Sequence, residues 1–180
     1  MKKLFVIVLA MLTVFCFTAC GKTDEPVTES APEILTEQES ENYGTGMINP
    51  WQDCNTLEDA AAVAGFEMAV PDRIEGYPET HIQAVENSMS QVFFYNGSFD
   101  DGSAKSVLIR KGTGGEDISG DYNEYSEKET VPMHGVDVTV KGDNGLVYNA
   151  FWFQDGYAYC INADDGMSRE QIENLVELVK

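Results

Sequence analysis

Asp117, Ser119, Asp121 and Asn123 alternate along the chain, and oxygen-bearing side chains at every second position suit a divalent cation. Calcium is the ion to test, because it takes carboxylate, amide and other oxygen ligands. The EF-hand loop requires glycine at position six and glutamate at position twelve. Counted from Asp117, those positions hold Tyr122 and Lys128. Another calcium geometry could use Asp117 and Asp121, with Asp100 and Asp101 as further ligands. Gly112-Thr113-Gly114-Gly115 has the glycine content of a phosphate loop. It leads into Glu116-Asp117 rather than a helix, so it offers repulsion in place of free N–H groups. His81 and His134 are the only histidines, too few for a three-histidine zinc site, and no His-Glu-x-x-His occurs. Gly-x-Ser-x-Gly and Ser-x-x-Lys are absent too. The 31 acidic residues show no pair at a spacing that marks glycoside hydrolysis. No catalytic residue, metal site or cofactor is therefore expected. Aromatics are the better lead. Trp51, Tyr122, Tyr125 and Trp152 combine an apolar body with a polar edge, which near acids binds sugars or peptides.

The leader is the most specific segment. Met1-Lys2-Lys3 precedes an apolar run from Leu4 to Phe17, then Thr18-Ala19-Cys20. Positive charge, an apolar core and small residues before a cleavage point make an export signal. A spanning helix needs about 20 apolar residues, and this run is shorter. The Phe17-Thr18-Ala19-Cys20 junction resembles the lipobox of bacterial lipoproteins. That resemblance implies removal of residues 1–19, a diacylglyceryl group on the Cys20 sulfur, and anchoring at the extracytoplasmic face of the cell membrane. Two acyl chains satisfy the two-signal requirement for stable anchoring. Cys16 leaves with the leader, so Cys54 and Cys160 remain. In an oxidising compartment such a pair is expected to form a disulfide. Closing a loop of that length is worth about 4–5 kcal/mol in the chain-entropy account. Two separate thiols are the alternative, since cysteine is a common small core residue.

The formal net charge is −20, and the leader carries two of the basic residues but no acidic one. Phosphate binding draws on clustered Lys and Arg, so nucleic acid is not an expected partner. Residues 20–46 hold the lipid-bearing cysteine, many acids, prolines and few apolar residues, and are expected to be a disordered tether. Its reach as a flexible coil is roughly 28 Å. Residues 47–180 form the single expected globular domain.

Within that domain, Thr56 and Asp59 make a capping box that opens a helix over 56–65, and Gly65 stops it. Alternating and apolar runs predict strands at 80–86, 89–95, 104–111, 127–133, 136–141, 146–153 and 157–163. His134-Gly135, Asn144-Gly145 and Asp155-Gly156 supply hairpin turns. Ser168 with Gln171 opens a second helix over 168–180, whose Ile172, Leu175, Val176 and Val179 form one apolar stripe. The expectation is an α+β fold: an antiparallel meander of about six to seven strands, covered on one face by an N-terminal and a C-terminal helix.

Asn49-Pro50-Trp51, the helix ending at Gly65 with Phe66 after it, Asp117-Ile118-Ser119-Gly120-Asp121-Tyr122-Asn123 with Tyr125, and the final strand and helix carry a further resemblance. Together they are similar to small one-domain bacterial lipoproteins of unknown function from clostridia-type Gram-positive bacteria. The resemblance implies an α+β domain and no known chemistry. With the leader, it makes a non-catalytic binding or sensing module the expected function, its partner an envelope protein, peptide or glycan. A small envelope hydrolase with an acidic pair is the alternative, and a structural spacer the third.

Overall fold

In the computed structural model the described residues are 49–100 and 102–180. The leader, Cys20, the expected tether and Asp101 lie outside them. Both helices begin where local chemistry puts them. Thr56 Oγ1 accepts from Asp59 N at 3.1 Å, Asp59 returns a carboxylate to Thr56 N, and α1 runs Leu57–Ala64 to a left-handed Gly65. Ser168 and Gln171 cap α2, Arg169–Leu178, in the same way. These reciprocal bonds satisfy donors that a helix start otherwise leaves open.

Among the described residues eight strands make one antiparallel sheet: β1 Gln52–Cys54, β2 Glu79–Val85, β3 Met89–Tyr95, β4 Ser106–Thr113, β5 Glu127–Met133, β6 Val136–Asp143, β7 Leu146–Gln154 and β8 Tyr157–Met167. The added strand is β1. Three residues are too few for an alternation to register in the sequence, and its pairing with β2 creates it. The fold is α+β, but its strand order β1-β2-β3-β4-β8-β7-β6-β5 corrects the simple meander. Two four-strand meanders are joined where β4 pairs with β8. The chain leaving β4 must therefore cross the sheet to start β5 at the far edge.

Cross-strand partners share a face. One face carries the main core row Ile82–Val92–Ile109–Ile161–Ala150–Val140. Trp152 stacks on Tyr159 in that core, ring centroids 5.2 Å apart. The α2 stripe of Ile172, Leu175, Val176 and Val179 belongs to the same cluster, while Ala60 and Ala64 of α1 pack with Ala84. Small α1 residues allow that close approach. Lys111 is buried among Phe66, Tyr157 and Tyr159 and donates to Glu67 O at 2.8 Å. It thereby holds the segment after α1 to the sheet, and burial lowers its pKa.

The expected disulfide is corrected. Cys54 and Cys160 are both free. Their strands are four places apart in the sheet, roughly 19 Å at ordinary strand spacing, whereas a disulfide tolerates about 7 Å between Cα atoms. Export chemistry and an even count suggested the pair, but the strand order separates it. Burial pushes the Cys160 thiol up to about 12. Among the described residues no helix is long and apolar enough to cross a membrane.

Candidate functional site

Residues 114–126 form a strap that joins β4 to β5 across the sheet face opposite the main core row. Its alternating oxygens serve its own backbone. Asp117 Oδ1 accepts from Ser119 N at 2.9 Å, Ser119 Oγ from Asp121 N at 3.2 Å, and Asp121 Oδ1 from Asn123 N at 3.1 Å. Three successive side-chain turns of this kind account for the period of two that suggested calcium. The carboxylates do not converge: Asp117 Oδ2 lies 3.3 Å from Lys141 Nζ, while Asp121 also takes Asn123 Nδ2 at 2.8 Å. Among the described residues no group of three or more His, Cys, Asp or Glu could hold a metal ion.

The strap is fastened by side chains rising from the sheet. Arg110 Nη1 donates to Ile118 O at 2.5 Å, Asn162 Nδ2 donates to Ser119 O at 2.9 Å, and Ser126 N and Oγ donate to Asp143 Oδ1 at 2.7 and 2.6 Å. Arg110 also ends a polar ladder. Its Nε donates to Gln91 Oε1, Gln91 Nε2 to Gln83 Oε1, and Gln83 Nε2 to Asp53 Oδ1, at 2.9, 2.8 and 2.8 Å. A cation at one end and a carboxylate at the other orient both amides in between. Trp51 lies over the guanidinium, 5.2 Å from ring centroid to Cζ, an attraction between cation and ring quadrupole. Two sequence segments far apart, 49–51 and 117–123, therefore meet at one residue that neither contains.

Beside the strap opens a cleft of about 270 Å³, lined by Gly120, Asp121, Asn123, Tyr125, Tyr148, Asn162, Ala163 and Asp164. A pairing irregularity makes it. Val147 pairs with Met167 and Asn149 with Asn162, so Tyr148 alone faces four residues of β8. Such bulges re-aim side chains. Here the bulge turns the Tyr148 ring onto Tyr125, with centroids 5.8 Å apart and planes 20° from parallel. Gly166, at φ 71°, backs the ring, and a Cβ there would lie 3.1 Å from Tyr148 Cζ. Asp164 Oδ2 is held by Ser106 N and Oγ at 2.8 and 3.0 Å. Burial first, then the Asp121 and Asp143 charges, raise the Tyr125 pKa against the lowering bond from Asn123.

Of the four aromatic candidates, Tyr125 lines the cleft and Trp51 covers Arg110. Tyr122, on the strap, is 96% exposed. Trp152 is corrected: at 1% exposure it is core and has no surface to offer a ligand. His81 stacks on Phe99 at 4.1 Å and sits 3.0 Å from Asp53 Oδ1. His134 occupies a left-handed hairpin position, 4.0 Å from Glu173. Arg110, Asn162, Tyr148 and Asp164 belong to no recognisable sequence motif. Asp164 falls in a stretch, Asp164-Asp165-Gly166, with the look of a turn. That polar break at the end of an apolar strand was the signal for the bulge.

Replacing Arg110 by methionine keeps its length and removes three contacts. It is expected to cost about 2 kcal/mol and to speed hydrogen exchange at residues 117–121 more than in β2 or β7. Unchanged exchange in the strap would show that Arg110 does not fasten it. A second expectation concerns acid. Burial alone would raise the Asp117 pKa, but the Ser119 bonds and Lys141 override it and hold it below the ordinary 3.8. A depressed carboxylate stabilises above its unfolded pKa and loses that contribution as pH falls through the folded value. Strap exchange, corrected for intrinsic rates, should thus be constant from neutral pH to about 4 and accelerate only below it. Asp117→Asn should remove that acid step.

No curated protein and no solved structure matches the chain. A family match covers residues 68–179, which take in β2 to β8, the strap, the cleft and α2, and leave Trp51 and Asp53 outside. The chain belongs to the family described as a domain of unknown function, DUF4367.

Proposed function

We propose that this protein is a lipid-anchored extracytoplasmic lipoprotein whose domain binds a ligand in the cleft between strap and bulge, without catalysis. The leader and Cys20 support the anchor, and the resemblance to clostridia-type lipoproteins agrees with it. In this reading α1 and α2 share the core face, which leaves the strap face turned to the surroundings. The observation that carries the binding site is the cleft itself. A strap and an irregular pairing together expose two tyrosine rings and two carboxylates in one recess.

The same two carboxylates favour the second reading, a small envelope hydrolase. Each already has one oxygen fixed by the protein, Asp121 by Asn123 and Asp164 by Ser106. Carboxylates held in this way are preorganised acceptors, which suits recognition better than proton transfer.

The anchor is tested by labelling cells with radioactive palmitate. Wild type should carry label and partition with membranes. Cys20→Ser should lose the label and leave the membrane fraction, and label retained by that variant would end the lipoprotein reading. The cleft is tested by adding a cell-wall digest, then envelope peptides, to isotope-labelled full-length chain. Amide shifts should concentrate at Gly120, Tyr148, Asn162 and Asp164 with no change in the digest's product profile. Shifts confined elsewhere would overturn the site, and turnover abolished by Asp121→Asn would favour the hydrolase.

A further inference from the structure

A hydrogen-bond inventory of the cleft narrows what can occupy it. Both side-chain amides that reach it have committed an N–H: Asn162 to Ser119 O and Asn123 to Asp121 Oδ1. Their second N–H groups and the Tyr125 and Tyr148 hydroxyls can still donate, but the only formal charges in the lining are carboxylates. Asp121 Oδ2 is buried without a hydrogen-bond partner. Asp164 carries a second carboxylate to the rim, and the lining residues include no Lys, Arg or His.

An anion would be repelled here. A neutral polyol could hydrogen-bond here but would leave both carboxylate charges uncompensated. Ammonium and guanidinium groups carry donors only, and their bonds to carboxylates are charge-assisted and strong. Tyr125 and Tyr148, stacked on each other, wall the recess, so the attraction comes from the carboxylates. We infer that the cleft binds a protonated amine or guanidinium group between Asp121, Asp164 and the Tyr148 ring. This rests on the reading of the cleft as the ligand site and adds its chemical class. The group could belong to a diffusible polyamine-type molecule or to a basic side chain of a peptide.

The full-length chain is titrated calorimetrically with agmatine, cadaverine, a blocked Gly-Arg-Gly peptide and glucose. At least one cation should bind with one-to-one stoichiometry, weaken as salt rises, and outcompete glucose. Asp121→Asn should weaken it roughly tenfold, and Tyr148→Leu should weaken it as well. If thermal melting shows that Asp121→Asn loosens the strap, Asp164→Asn carries the same test from the rim. Tighter binding of the peptide than of agmatine assigns the group to a protein segment, and the reverse assigns it to a diffusible amine. Glucose binding as well as the cations do, or cation binding unchanged in both aspartate variants, would overturn the charge inference. Loss of that glucose binding in Tyr148→Leu would still leave the cleft as a ligand site. Absence of binding by every cation would also overturn the inference, and the wall-digest shifts judge the site separately.

Discussion

The Arg110 guanidinium is the point on which the strap face depends. Because β5 pairs at the edge of the sheet farthest from β4, backbone must cross a sheet face. Crossing backbone brings carbonyls over a surface that would otherwise be side chains alone, and each buried carbonyl needs a donor. Arg110 supplies one to Ile118, orders the Gln91–Gln83–Asp53 ladder through its Nε, and takes the Trp51 ring on its face. A lysine could offer a charge there but not two separately directed N–H groups in a planar fork. Half-burial lowers the Arg110 pKa, which makes each of those partners matter more.

From that constraint the cleft follows. The strap fixes Gly120, Asp121, Asn123 and Tyr125, and the irregular β7–β8 pairing fixes Tyr148 and Asp164. Neither wall is complete without the other. Gly142 takes part at the outer end of β7, where a Cβ would collide with the Leu146 backbone, so the register shift between β6 and β7 requires glycine. The site is thus built from departures from ideal sheet geometry, while the opposite face holds the regular apolar rows.

Much of the fold was legible in the sequence, for local reasons. The two capping boxes, the three turns with positive φ at both central residues, and the alternating Val136, Val138 and Val140 are each written within a few residues. The site was legible only in fragments. Asp117, Ser119, Asp121 and Asn123 stood out by period, but period alone does not tell a cation loop from a chain of side-chain turns. Trp51 and Trp152 look alike as residue types. One caps an arginine and the other disappears into the core, because Trp51 precedes the edge strand β1 whereas Trp152 lies in β7 on the core face.

The sequence by itself determined the acidic character, the helix ends, the hairpins and the α+β class. All of these arise from neighbours within a few positions or from composition. Only the tertiary structure decided the β4–β8 pairing, the separation of Cys54 from Cys160, the meeting of Trp51 with Ile118 through Arg110, and the recess between Tyr125 and Tyr148. Those depend on strand order and register, which are set by how two meanders bury their apolar faces together. Residues far apart in the chain, Val107 with Ala163 and Tyr125 with Tyr148 among them, are coupled by that burial, and no local pattern records it.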